Sequence, residues 1–199
     1  FFFFFLVLNG LSNLIFKIFR IRPTGGPNFF LFFEEIKLIV EDSFEEGVIG
    51  PRKRFLLDKA IEFSHKTLRD IMVIEPNMVC FYLNESVHDN LEQAKEAGHS
   101  RFPLRAERGG AVLGFVHMKD VIWALENQEV INLFDLRRPI LFFDADIKLD
   151  NALREFQKKS IHIGIVMSPK KEVLGLVTLE NVIEQLVGAI EDEFDVEMA

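Results

Sequence analysis

One cysteine in 199 residues, Cys80, leaves no internal disulfide and fits a reducing compartment. Cys80 also stands inside an apolar run, which reads as a small buried group rather than a nucleophile. The chain lacks Gly-x-Ser-x-Gly, a P-loop and Gly-x-Gly-x-x-Gly, so no common hydrolase or nucleotide-hydrolysing signature is present. The five histidines, at 65, 88, 99, 117 and 162, show no short metal-ligand spacing. Basic residues are also few. After residue 33 there are 20 Lys and Arg against 31 Asp and Glu, a balance of −11, which argues against a nucleic-acid partner. A start at Phe1 rather than Met predicts a piece of a longer protein.

Residues 1–33 are the exception to the acidic balance. They carry Lys17, Arg20 and Arg22, no acid, and 11 of the 22 phenylalanines. Phe1–Leu8 is an apolar octet, continued by Leu11, Leu14, Ile15, Phe16, Ile18, Phe19 and Ile21. A spanning helix needs about 20 mostly apolar residues, and no small-residue cleavage site follows. Two readings stand. One is the inner end of a membrane span with an interfacial amphipathic helix, its cations on the cytoplasmic side. The other is a core helix of a soluble domain. The first is favoured, because so many phenylalanines beside the break at Pro23, Gly25, Gly26 and Pro27 need a partner surface.

Two helices follow. Glu34–Glu46 has helical spacing (Ile36, Ile39, Val40) and a Gly stop at Gly47. Arg52–Phe63 repeats the pattern with Phe55, Leu56, Ala60, Ile61 and Phe63. Both read as connectors.

From Thr67 the pattern changes to short strands and helices. Strands are expected at Met78–Leu83, Phe102–Leu104 and Ala111–Val116, with helices at Ser86–Ala97, capped by Ser86 and stopped by Gly98, and at Lys119–Leu125. Pro103 predicts an edge position for its strand. The order then restarts: strand Ile140–Phe143, helix Ile147–Lys159, strands Ile163–Met167 and Val173–Val177, helix Leu179–Val187. This gives an α/β fold of two β-α-β-β-α units of about 60 residues each, too small to bury their sheets alone and expected to pack as a pair.

The restart is a sequence repeat. Val112–Leu125 and Val173–Leu186 align at an offset of 61, with seven of 14 columns identical, among them Gly114 and Gly175. His99–Leu104 faces His162–Met167 at an offset of 63. In the second copy, Gly175-Leu176-Val177-Thr178-Leu179-Glu180-Asn181 reads as strand, tight turn and helix start. Thr178 is placed as N-cap with Glu180 in the first turn. Such a turn leaves backbone N–H groups free to hold an anion.

Tandem units with this Gly-apolar-apolar-Thr turn resemble a cystathionine-β-synthase (CBS) domain pair. Further segments occur in the order seen in the CorC/HlyC (hemolysin-like, CNNM-related) magnesium and cobalt efflux family. They include Glu34–Glu41, Thr67-Leu68-Arg69-Asp70-Ile71-Met72, Ser100-Arg101-Phe102-Pro103-Leu104, His117-Met118-Lys119-Asp120 and Asp192-Glu193-Phe194-Asp195. The resemblance covers residues 34–195. Residues 1–33 resemble the exit from that family's transmembrane domain, and the resemblance stops before the family's further C-terminal domain.

That resemblance implies five parts. They are a membrane-proximal end (1–33), connector helices (34–63), a first CBS domain (64–129), a second (130–190) and an acidic linker (191–199). It implies no enzymatic activity. It places this part on the cytoplasmic side of the plasma (inner) membrane, attached to its own transmembrane domain and paired as a homodimer. Its ligand would be an adenine nucleotide, ATP or AMP, with Mg²⁺.

The implied nucleotide-contacting residues are Thr178, Asn181, Asp120, His117, Arg101 and Ser100, with no protein metal site. Thr178 would meet phosphate. Asn181 stands where the family has Asp for the ribose hydroxyls, so the charge that strengthens those bonds is missing. In the first unit Asp120 keeps the carboxylate and His117 stands at the hydroxyl position. Arg101 is the cationic candidate for phosphate, or else a surface arginine paired with a local acid. Val73-Ile74-Glu75 and Ser168-Pro169-Lys170-Lys171 depart from the family pattern, the first by replacing a base with an acid. A nucleotide-sensing regulator of efflux is the leading reading. A structural dimerisation module with a decayed site is the alternative. An enzyme fused to a CBS regulator would need a catalytic domain outside these residues.

Overall fold

The computed structural model describes residues 29–127 and 130–188. The expectations for residues 1–28 and the acidic 191–195 segment lie outside them. No described helix is long and apolar enough to cross a membrane.

The described residues fall into two compact units, divided between Ile49 and Gly50. In the first, α1 (Phe29–Glu45) begins five residues before the expected Glu34. It ends where Gly47 turns left-handed at φ +73°, the conformation glycine adopts without cost.

The second unit opens with α2 (Pro51–His65), started by a proline at its first turn. Phe63 on α2 is buried with Leu149, Phe156, Val177 and Val182. Far from being a free connector, α2 packs on helices α5 and α6 defined below. Next comes a single 3-10 turn, Leu68–Asp70. The Thr67 backbone N–H and hydroxyl both donate to Asp70 Oδ2, at 2.7 and 2.8 Å. Those bonds hold the Asp70 carboxyl below its ordinary value.

The expected repeat is present. The first copy is β2 (Phe81–Tyr82), α3 (Val87–Ala97), β3 (Arg101–Arg105), β4 (Val112–His117) and α4 (Met118–Asn127). The second is β5 (Leu141–Asp144), α5 (Leu149–Lys159), β6 (Ile163–Met167), β7 (Val173–Thr178) and α6 (Leu179–Val187). In each, two parallel strands joined across a helix precede an antiparallel hairpin. Ser86 caps α3 by accepting from the Asp89 N–H at 3.1 Å, and Gly98 ends it in the left-handed conformation.

Three expectations are corrected. The strand expected over Met78–Leu83 is reduced to Phe81–Tyr82; a 3-10 turn at Glu75–Asn77 precedes it, with Met78 as its C-cap. Tyr82 finds a side-chain partner there: buried Asn90 accepts from its N–H at 2.7 Å and donates to its carbonyl at 3.0 Å. Helix α5 starts at Leu149, not Ile147, since Lys148 is bridged to Thr67. And β3, which carries Pro103, is the central strand of its sheet, in the order β2-β3-β4. Phe115, opposite Pro103, exchanges both its backbone bonds with Arg138. Pro103 therefore faces β4 at a non-hydrogen-bonded pair, and its missing N–H would point towards β2. On that side β2 pairs only with Leu104 and Arg105, so no ladder bond is lost.

A strand the sequence reading missed, β1 (Val73–Ile74), adds to the other sheet, in the order β1-β7-β6-β5. Thus the lead-in to the first copy pairs with β7 of the second, and the lead-in to the second, at Arg138, pairs with β4 of the first. Each copy has its own core. A third cluster of Phe115, Ile140, Ile163 and Ile165 joins them, so the copies pack as a pair.

Candidate functional site

Where β4 runs into α4, the Met118 N–H donates to the Ser100 carbonyl at 2.9 Å. This fixes the start of the helix. The His117 ring then acts as the cap: Nδ1 accepts from the Lys119 N–H at 3.1 Å. An accepting Nδ1 places the ring proton on Nε2. Burial pushes the His117 pKa below its ordinary value, and Arg101 adds to the push, while Asp120 opposes it.

Asp120 is turned to the lead-in segment. Its two oxygens take Nε and Nη2 of Arg138, both at 2.8 Å, a side-on fork. Arg138 is held at its own backbone by Phe115, through bonds of 2.9 and 2.7 Å.

These groups open on one cleft of about 370 Å³. Arg101, Phe115 and His117 line it from the first copy, Arg138 and Pro139 from the lead-in, and Ser160, Ile161 and His162 from the second copy. Glu180 of α6 sits beside it, 3.7 Å from Arg101 Nη1 and 4.0 Å from His162 Nδ1. At that distance and exposure the Arg101–Glu180 pair is weak, and Arg101 remains available to a stronger anion.

The matching turn of the second copy is wired differently. Thr178 caps α6, as expected, and forms a closed box with Asn181. Asn181 Oδ1 accepts from the Thr178 N–H and from its hydroxyl, each at 3.0 Å, and Thr178 Oγ1 accepts from the Asn181 N–H at 3.2 Å.

Of the six expected residues, the structure brings Arg101 and His117 into the cleft, with Asp120 joined through Arg138. Ser100 contributes its carbonyl, and its side chain is exposed. Thr178 and Asn181 are not among the cleft's lining residues. Arg138, His162 and Glu180 were missed as site residues. The signal for Arg138 was the pair of cations, Arg137 and Arg138, directly before a proline and an apolar run.

The CBS domain family profile matches residues 68–127 and 131–188. The chain belongs to the CBS domain family. Among curated proteins it is 32% identical over 165 residues to the magnesium and cobalt efflux protein CorC of Pasteurella multocida, covering 82% of this chain and 55% of that protein. The chain spans about half the length of that relative. Among solved structures it resembles the CBS domain of a bacterial CNNM/CorC family Mg²⁺ transporter, with a TM-score of 0.70 and 29% identity over 80% of this chain and 98% of that one. A second structure of such a domain, in complex with ATP, matches with a TM-score of 0.62 and 26% identity, covering 70% of this chain and all of the other. The CBS pair is similar to those of CorC/CNNM proteins.

The cleft suits an adenine nucleotide by its own features. Its volume lies within the roughly 300–1,000 Å³ of small-molecule sites. Phe115, Pro139 and Ile161 give a base apolar surface, Arg101 gives a phosphate a guanidinium held only by a long ion pair, and Arg138 adds a second charge whose Nε–Nη2 edge already holds Asp120. For Mg²⁺ there is no protein cage: among the described residues no group of three or more His, Cys, Asp or Glu could hold a metal.

Proposed function

We propose that this CBS pair binds an adenine nucleotide in the cleft beside His117 and thereby controls a membrane Mg²⁺/Co²⁺ efflux protein. The convergence of Arg101, Arg138 and His117 on one cleft between the copies carries this reading. Phosphate would take the two guanidinium groups, and Asp120, shared with Arg138, would accept ribose hydroxyls. Any Mg²⁺ would ride on the phosphates, which supply the oxygens the protein does not. The ATP complex of a related CBS domain supports the ligand class. The alternative candidates Thr178 and Asn181 offer less, since the Thr178 hydroxyl and Asn181 Oδ1 are already bonded to each other.

The chain would act as a homodimer on the cytoplasmic side of the plasma membrane, attached to a transmembrane domain and without enzymatic activity. Control requires that nucleotide bind one arrangement of the module more tightly than another.

Calorimetric titration of the purified chain with AMP, and with ATP with and without Mg²⁺, tests the binding. Saturable heat that falls at least tenfold in affinity in Arg138→Gln and persists in Thr178→Ser supports the cleft. The reverse pattern moves the site to the second turn. No heat at millimolar ligand favours a structural dimerisation module, a reading supported by the closed Thr178–Asn181 box and the Asp120–Arg138 fork.

A further inference from the structure

On β3 the side chains of Leu104 and Arg105 both end up buried, with Arg105 only 4% exposed. The register with β4 shifts between these two residues, and such a bulge re-aims the side chain that follows it. A buried guanidinium is costly unless its N–H groups are all matched. Here one is: Nη1 donates to Glu75 Oε1 at 2.9 Å. Nε and Nη2 are buried and have no hydrogen-bond partner. Native proteins rarely leave such groups unmatched, and an unseen ion or water is a usual reason.

The geometry of the unmatched pair is informative. Nε–H and Nη2–H lie on one edge of the guanidinium, the edge that grips two oxygens of one carboxylate or phosphate side-on. Arg105 lines a separate cavity of about 270 Å³, together with Glu75, Met78, Cys80, Tyr82 and Arg108. Arg108 is held over the Tyr82 ring at 4.7 Å and on Glu85 at 2.8 Å, so a second cation stays at the cavity. The charged lining is two arginines against one glutamate, in a chain whose net charge is −8. None of these residues lines the cleft beside His117.

We propose that the Arg105 cavity is a binding site for a small oxyanion, gripped side-on by Nε–H and Nη2–H of Arg105 and attracted by Arg108. Glu75 orients the guanidinium from the opposite edge. The site is independent of nucleotide binding at His117.

The arginine Nε–H resonances of the ¹⁵N-labelled chain report on it, titrated with inorganic phosphate and in parallel with acetate at fixed ionic strength. A saturable shift of the Arg105 signal is expected with one or both anions, and which one responds separates a phosphate from a carboxylate site. Arg138→Gln should keep the shift. Glu75→Gln, which removes a half-exposed acid, should tighten binding. Arg105→Lys, which loses the fork but keeps the charge, should weaken phosphate binding about tenfold by calorimetry, roughly one charge-assisted hydrogen bond. An Arg105 signal indifferent to both anions overturns the proposal and leaves bound water as the acceptor. So does a response that Arg138→Gln abolishes or that Glu75→Gln weakens.

Discussion

Burial, and then the Arg101 charge, disfavour the protonated form of His117. A phosphate arriving beside it reverses that balance and raises its pKa. The complex then holds more protons than the free protein, so affinity must rise as pH falls through the interval between the two values. The lower value lies below the ordinary 6.5 of histidine. AMP affinity measured from about pH 7.5 to about pH 5.5 should therefore increase, and His117→Asn should flatten the slope to that of the phosphate alone. Without ligand the sign is opposite for stability. A histidine depressed in the folded state binds its proton better when unfolded, so acid below 6.5 favours unfolding through this group.

Thr178 tests a different point at the same scale. Its hydroxyl closes the cap of α6. Thr178→Ala should cost about 1 kcal/mol in urea unfolding whether or not nucleotide binds, and Thr178→Ser should cost little. The capping box makes Thr178→Ala destabilising whether or not the module binds nucleotide, so only its effect on ligand affinity is diagnostic.

At the scale of elements, the two repeat glycines explain how the copies are locked. A Cβ on Gly114 would lie 2.5 Å from the Arg138 carbonyl oxygen, and φ there is +154°. A Cβ on Gly175 would collide with the Val73 carbonyl oxygen. In both cases the obstacle is the lead-in segment exchanged between copies, which is backbone and cannot swing aside. Gly175→Ala should destabilise by about 1–3 kcal/mol in urea unfolding, as overpacking does, by pushing β1 off β7. The alternating pattern of strands and helices was legible because period and caps are local signals. The glycine repeat was legible too, but not its cause, since the partner strand lies about a hundred residues away in the case of Gly175. Pro103 misled for the same reason. Its edge-like chemistry is satisfied locally by a partner strand, β2, that pairs only beyond it. Arg101 and His117 were recognisable in the repeat register. Arg138 showed only as one of two cations before Pro139 and Arg105 not at all, because the role of one depends on a pairing between copies and that of the other on a bulge.

For the whole molecule, the surface of α4 bears on assembly. Val121 and Ala124 are buried, while Ile122 and Trp123 on the opposite side are 50% and 65% exposed, with Leu125 at the margin. Adjacent exposed apolar side chains of this size mark an association surface, and the proposed homodimer gives them a partner of the same kind. Trp123→Glu should shift the chain from dimer to monomer in sedimentation velocity, with its far-ultraviolet circular dichroism unchanged. Arg101, Arg138, His117 and Asp120, the groups proposed to meet the nucleotide, belong to the same chain, so on that proposal the monomeric variant should still bind AMP. What it should lose is linkage: in the wild-type protein nucleotide should change the dimer dissociation constant, and dilution should change the nucleotide affinity by the same factor. A Trp123→Glu variant that stays dimeric places the interface elsewhere. A wild-type dimer whose dissociation constant ignores nucleotide removes dimer formation as the quantity the ligand controls, and leaves any signal to pass within a single chain.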